Sequence, residues 1–418
     1  MTDSIQSRRN FLSSLGALSA VGLGASSAFA ASTELIAPTD LASTARGLAA
    51  AGDFAFEEGL IYLQTGSLGP TPRPVIQRTI AAWEELQRNP AAYAYGAHEQ
   101  AMEDVRRQAA ALLNCSYEEL VLTRSTTEGM NWVAQGLTFA PGDRVLTTDQ
   151  EHPGGSLCWE YIARRYGVAL DKVPIVPGEN NTQAIIDAVA RRLTPRTRVL
   201  SFSHLLSSTG LRMPVAELSA LARSRDCLVV VDGAQAVGGI AVDVKALGCH
   251  VYATSGHKWL LAPPGTGMLY LSKELGAKLD AISLQLGPAA YTGATGVTGI
   301  PAMIGLGAAI GYLERTGIAN IETHNLSLRN RLFSALERVP GLKVVSAAPG
   351  RAASPLLTFE LPAQRESAAF RTLMREKHKF ELKVVPKVWL NGIRVSTHLF
   401  NSDADVDALA GALRAELA

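Results

Sequence analysis

From about residue 119 the chain alternates short apolar runs with longer amphipathic segments. This alternation restricts the possible folds more than any other feature. ELVLTRS is followed by a helical pattern through Met130 and Val133, DRVLTTDQ by SLCWEYIARRYG, and TRVLSFS by PVAELSALARSRD. CLVVVDG, HVYATSG and GMLYLS are further runs of the same kind. Short strands separated by helices predict an α/β fold, a mostly parallel sheet flanked by helices. In such sheets ligands bind beyond the carboxyl ends of the strands. The polar residues directly after the runs fall there: Ser125-Thr126-Thr127, Glu151-His152, His204 to Ser208, Asp232 to Gln235, and Ser255-Gly256-His257-Lys258. Five strand ends that present polar groups on one edge describe a site.

Upstream, YLQTGSLGPTPRPV is a Gly/Pro loop, and PVIQRTIAAWEELQRN and HEQAMEDVRRQAAALLN read as helices. From about residue 311 the pattern changes. A helix through Ile304 to Leu313 leads to LKVVS, PLLTFEL, SAAFRTLMREKH, FELKVV, GIRVSTHLF and a closing helix, a smaller C-terminal α+β domain. The expected division is an N-terminal segment with an active-site loop over 31–75, a large domain over 76–310 and a small domain over 311–418.

The chain has 418 residues, a net charge of +1 and 47% hydrophobic residues, which supports a large core and gives no footprint for nucleic acid. Its start is different. Arg8 and Arg9 precede Phe11 and Leu12, a run rich in Gly, Ala and Ser follows, and Ala28-Phe29-Ala30 has the small-residue pattern of a cleavage site. This stretch over 1–30 resembles a twin-arginine export signal and implies a periplasmic protein. The four cysteines, Cys115, Cys158, Cys227 and Cys249, lack metal-ligand spacing. Cys227 and Cys249 border apolar runs and read as small core residues.

VVVDGAQAVGG and SGHK place an Asp after one strand and a Lys after the next. A lysine that binds a pyridine aldehyde as a Schiff base needs a carboxylate partner on the ring nitrogen, and Asp232 with Lys258 suits that pair. Gln235 is placed to donate to the ring's phenolic oxygen, and His152 to lie against the ring. RSTTEGMN puts Thr126 and Thr127 at a helix N-terminus, a site for the cofactor's phosphate, which Ser255 and His257 approach from the lysine's strand end.

The combination VDGAQAVG, SGHKWLLAPPGTG and GIRVSTHLFN resembles the class V aminotransferase family of pyridoxal 5'-phosphate (PLP) enzymes, fold type I, which includes cysteine desulfurases and isopenicillin N epimerase-like proteins. The likeness runs from about Tyr62 to the end. It implies Thr127, Ser255 and His257 as phosphate ligands, His152 as the stacking residue, Asp232 and Gln235 as ring partners, and Lys258 as Schiff-base lysine and proton carrier. Arg394 matches the arginine that grips the substrate α-carboxylate through two parallel bonds. The family forms homodimers whose loop near 291–299 reaches the neighbour's phosphate. The chain departs from the pattern at three places. Leu206-Ser207-Ser208 stands where many relatives have an asparagine near the ring, leaving Ser207 as a candidate. Val297 stands near the threonine that reaches the neighbour, leaving Thr298 or Thr295. Gln64 replaces a common asparagine in a loop expected on the substrate side.

The resemblance implies chemistry at the α-carbon of an amino acid or amino-acid-containing metabolite. Lys258 acts as general base, and transamination, epimerisation and β-elimination all remain open. Cysteine desulfuration needs a mobile cysteine late in the chain, and the last one, Cys249, belongs to the strand leading to Lys258. The export signal together with this fold resembles exported enzymes that tailor a peptide siderophore. NPAAYAYGAHE, with Tyr93 and Tyr95, suits either an entrance or core packing. A non-catalytic ligand-binding protein on the same fold is the competing reading. The intact Asp/Lys pair argues against it.

Overall fold

The computed structural model describes residues 47–50 and 52–417. The export segment over 1–30 lies outside the described residues. Strand β1, Ile61–Tyr62, is followed by helices α1, Arg73–Arg88, and α2, His98–Leu112. The alternating part then unfolds as β2 (Leu120–Thr123), α3 (Thr126–Gly136), β3 (Arg144–Thr148), α4 (Pro153–Tyr166), β4 (Ala169–Val173), α5 (Thr182–Arg192), β5 (Thr197–Ser203), α6 (Val215–Arg223), β6 (Leu228–Asp232), β7 (Val251–Ser255) and β8 (Gly267–Leu271).

These strands form one seven-stranded sheet in the order β2-β8-β7-β6-β5-β3-β4. The pairs from β7 through β4 are parallel, and β8 runs antiparallel between β7 and β2. Each strand alternates its side chains between two helical layers. Val121, Val145, Val199, Val230 and Val251 pack against Met130 and Val133 of α3 and Trp159 and Ile162 of α4. Leu122, Leu146, Phe202, Val231 and Tyr252 face the opposite layer with α1, α2, α5 and α6. Burial on both faces explains why the central strands read as continuous apolar runs rather than alternating ones. The edge strand β4 escapes that reading. Its sequence, ALDKV, is buried only at Val173, so no apolar run marks it.

A long helix α7, Ile300–Thr316, crosses the expected boundary near 311 without a break and ends at Gly317, whose φ of 84° only glycine adopts freely. It is followed by α8 (Ile318–Leu336), β9 (Lys343–Val344), β10 (Leu356–Glu360), α9 (Ser367–His378), β11 (Phe380–Glu381), β12 (Lys383–Val384), β13 (Gly392–Ser396) and α10 (Asp403–Leu417). A four-stranded antiparallel sheet, β12-β13-β10-β9, has its own core. Leu357, Phe359, Ile393 and Val395 meet Leu332, Met374 and Leu409 from α8, α9 and α10 there. The N-terminal segment joins this part: β1 pairs in parallel with β11, and Leu63 is buried in the same core. Among the described residues no helix is long and apolar enough to cross a membrane.

Candidate active site

Period-two alternation decides which side chains reach the site. On β5, β6 and β7 the residues facing α3 and α4 include Val199, Val230 and Val251. The same parity carries Ser203, Asp232 and Ser255 onto that face, at the carboxyl ends of three neighbouring strands. A cavity of about 440 Å³ opens there. Asp232, Gln235, Ser255, His257 and Lys258 line it from the ends of β6 and β7, Thr126 and Thr127 from the start of α3, and His152 from the start of α4. Ser207 after β5 and Arg394 on β13 complete the set. Ten of the twelve residues singled out from the sequence thus meet in one place.

The helix starts are built for this position. Ser255 Oγ accepts from the Thr126 N–H at 2.9 Å and lies 2.8 Å from the Thr126 hydroxyl, which ties the end of β7 to the first turn of α3. His152 caps α4, its Nδ1 accepting the Gly154 N–H at 3.0 Å, so the neutral ring carries its proton on Nε2. Burial, reinforced by Lys258, keeps this imidazole below its ordinary pKa, and Asp232 opposes that shift. Gly155 in the same turn has a steric reason. A Cβ there would strike the Asp232 carboxylate.

Asp232 is buried and accepts the Ala234 N–H on Oδ1 at 2.9 Å. Burial lowers the Lys258 ammonium from 10.5 to about 8; Asp232 opposes the shift and Arg394 adds to it. The Gln235 amide is held at both ends. Its Oε1 accepts from the Trp259 indole at 2.9 Å, and its Nε2 donates to the Gly66 carbonyl at 2.8 Å. That fixes the amide's orientation and leaves one N–H for the cavity.

Arg394 is 4% exposed. Its guanidinium donates to the Ser207 carbonyl at 2.8 Å and to the Ser67 hydroxyl at 3.1 Å, and Nε has no partner. Burial lowers its pKa to about 10. Among the described residues no carboxylate pairs with it. A buried guanidinium held only by neutral groups is set up to receive an anion.

Two expected residues lie elsewhere. Gln64 does not line the cavity. Its amide donates to Glu381 at 3.0 Å, because β1 continues along β11 and turns this side chain toward the small sheet. Gly66 and Ser67 of the same loop reach the cavity instead, and the loop docks through the Gly69 N–H on the His257 carbonyl at 2.8 Å. Thr298 lies against Met102 Sδ at 4.0 Å and lines a separate cavity of about 130 Å³ together with Thr295, so the fold does not bring it to the site of its own chain.

Lys383 and Trp389 belong to the site region without having been named from the sequence, and Glu151, named there only as a strand-end polar residue, has a role that the sequence did not assign. Glu151 is buried beneath the cavity. The Thr148 hydroxyl donates to it at 2.6 Å and the Ser203 hydroxyl at 2.5 Å, and Ser203 stands in register with Asp232. Burial raises its pKa to about 7; the two hydroxyls oppose the shift and the charge of Asp232 adds to it. Lys383 and Trp389 reach the rim from β12 and the loop after it.

The residues present fit PLP. Ser207 Oγ, His257 Nδ1 and Arg394 Nε are buried polar atoms without partners around the cavity. A carboxylate, an amine and a helix N-terminus face the same space, matching the ring nitrogen, aldehyde and phosphate of that cofactor.

Two outcomes follow. Gly155→Ala presses a methyl group onto Asp232 in a helix that otherwise favours alanine, so far-ultraviolet circular dichroism stays unchanged while PLP affinity falls by about tenfold or more in an absorbance titration. Glu151 binds a proton more tightly folded than unfolded. Its contribution to stability is full below pH 4.5 and is lost as pH rises through about 7. Glu151→Gln removes that decline, about 2 kcal/mol between pH 5 and pH 7.5, as read from urea unfolding at those two pH values.

The model of the family "Aminotransferase class-V" matches residues 61–409. Isopenicillin N epimerase of Amycolatopsis lactamdurans is 30% identical over 383 residues, 86% of this chain and 96% of that protein. A cysteine desulfurase of Klebsiella pneumoniae is 31% identical over 388 residues, 85% of this chain and 93% of that one. Among solved structures, the cystine C–S lyase C-DES in complex with cysteine persulfide superposes with a TM-score of 0.78 at 25% identity, covering 85% of this chain and 98% of the lyase. Another structure of that lyase carries glycine covalently linked to its PLP cofactor. With Asp232 and Lys258 facing one cavity on this fold, the chain belongs to the class V aminotransferase family and is a PLP-dependent enzyme.

Proposed function

We propose that the enzyme transforms the α-carbon of an amino acid, or of an amino-acid-containing metabolite, by epimerisation or transamination. The observation that carries this reading is Arg394, a buried guanidinium without a carboxylate partner that lines the same cavity as Lys258. An α-carboxylate supplies the missing charge and fixes the substrate's orientation through paired bonds. PLP, when bound, supplies the electron sink that makes loss of an α-proton feasible.

The chain's own groups do the rest. Burial lowers the Lys258 amine to about 8, so a usable fraction, roughly a tenth at pH 7, is unprotonated to take or return the α-proton. With PLP bound, Asp232 would hold a proton on the ring nitrogen and Gln235 would offer its remaining N–H to the phenolic oxygen. Thr126, Thr127, Ser255 and His257 would hold the phosphate near the start of α3, Ser207 would offer its unpartnered hydroxyl to the ring, and His152 would cover the ring as a neutral imidazole.

β-Elimination is the second reading, and the likeness to a cystine C–S lyase favours it. Transfer of sulfur through an enzyme persulfide is not favoured. Among the described residues no cysteine lines the cavity. Cys249 sits before β7, at the end of the strand remote from the site, and burial pushes its thiol up to about 12.

The proposal extends to location and assembly. Arg8, Arg9 and the cleavage pattern at Ala28 to Ala30 support export to the periplasm, where a substrate such as a peptide siderophore precursor is met. Thr298 or Thr295, absent from the site of their own chain, suit a contact with the neighbour's phosphate in a homodimer.

Nuclear magnetic resonance in deuterium oxide tests the chemistry. The wild-type enzyme exchanges the α-proton of its amino-acid substrates, Lys258→Ala abolishes exchange, and Arg394→Ala lowers kcat/KM by about a hundredfold. Keto-acid, ammonia and sulfide assays on the same samples separate transamination, elimination and epimerisation. Absence of exchange across amino acids and their peptide-like conjugates contradicts the reading. Replacing Arg8 and Arg9 together by lysine leaves the protein in the cytoplasm on cell fractionation, whereas periplasmic recovery of that variant rules out the twin-arginine route.

A further inference from the structure

Lys383 on β12 stands directly opposite Arg394 on β13, in register. Side chains at such positions project from the same face with Cβ atoms about 5 Å apart, and like charges there repel. Both line the active-site cavity. Burial lowers the pKa of Lys383, and the charges acting on it, Arg394 and Arg371, are both positive. The nearby carboxylate on β11, Glu381, is already engaged by Arg375 at 3.2 Å, Arg371 at 3.8 Å and Gln64 at 3.0 Å. Asp232, the one carboxylate lining the cavity among the described residues, belongs to the ring nitrogen's side and is fixed by Ala234. Val384, Val385, Pro386 and Trp389 wall the same end of the cavity with apolar surface, which strengthens any charge contact made there. A repelling pair of half-buried and buried cations is an expensive arrangement, and among the described residues no carboxylate pairs with either.

We propose that the substrate carries a second anionic group, a carboxylate, which Lys383 receives while Arg394 holds the α-carboxylate. The proposal rests on the α-carbon reading above and specifies it: the enzyme selects dicarboxylic amino acids, or metabolites bearing such a residue, with a few carbon atoms between the two acids. Lys383 is a specificity residue. It takes no part in proton transfer.

The test uses the PLP-loaded enzyme and the variants Lys383→Gln and Lys383→Glu. α-Proton exchange is followed for aspartate, glutamate and α-aminoadipate and for asparagine and glutamine as uncharged isosteres. Calorimetric titration with glutarate and with butyrate, which carry no amine, reads the binding of two acids against one without turnover. The wild-type protein prefers the acidic member of each pair and binds glutarate more tightly than butyrate. Lys383→Gln raises KM for the acidic substrates by about tenfold or more, leaves the isosteres within about twofold, and erases the glutarate preference; Lys383→Glu goes further in the same direction. Equal losses for acids and isosteres mean that Lys383 serves the α-carboxylate, and that overturns the proposal, as does no loss at all. Loss of the glutarate preference in Lys383→Gln without exchange of any amino acid upholds the dianion site and rejects the α-carbon reading. Neither exchange nor a glutarate preference rejects both.

Discussion

The structure depends on keeping unlike charges apart inside one cavity. Asp232, Lys258 and Arg394 are withdrawn from bulk water, a transfer that costs several kcal/mol per ion. The shortest way to recover that energy is for acid and base to pair. Here the acid is fixed by the Ala234 amide, and the guanidinium by the Ser207 carbonyl and the Ser67 hydroxyl. Their unsatisfied charge is reserved for ligands. On the proposed reading, Asp232 and Arg394, both held by neutral partners, and Lys258 would receive the ring nitrogen, the substrate carboxylate and the aldehyde.

The architecture holds them apart by parity and by strand ends. Residues of one parity on β5, β6 and β7 emerge beneath the starts of α3 and α4, and the first turn of α3, with the hydroxyls of Thr126 and Thr127, favours phosphate. Arg394 comes from a different sheet, on the face of β13 that does not enter the core of α8, α9 and α10. The loop from Gln64 to Gly69 closes the gap, giving its Gly66 carbonyl to Gln235, its Ser67 hydroxyl to Arg394 and its Gly69 N–H to the turn of Lys258. One short loop therefore touches three parts of the site, and its glycine at 69 cannot carry a side chain because a Cβ would strike the Lys258 carbonyl.

Much of this was legible in the sequence because it is written in local patterns. Fully buried strands gave apolar runs, and the first polar residues after them were the site. Asp232, Gln235, Ser255, His257 and Lys258 could be placed in this way. What the pattern missed has physical causes. The strand Ala169–Val173 lies at an edge, half exposed, and carries Asp171 and Lys172. Gln64 precedes a loop whose direction is set by the pairing of Ile61–Tyr62 with Phe380–Glu381, a contact between distant segments. Glu151 looked like a neighbour of His152; only the register of Ser203 with Asp232 shows that its carboxyl lies beneath the site. Lys383 sits in a two-residue strand, too short for any periodic signal, and its meaning comes from standing opposite Arg394.

The central claim is that the amine at 258 holds the cofactor's aldehyde with the acid at 232 on the far side of the ring. Borohydride reduction of the PLP-loaded enzyme, followed by proteolysis and mass mapping, tests it directly. The account predicts one phosphopyridoxyl adduct per chain, on the peptide that contains Lys258, and its loss when Asp232 is replaced by alanine and the cofactor is no longer retained. An adduct confined to another lysine, or none at all in a preparation saturated with the cofactor, contradicts it.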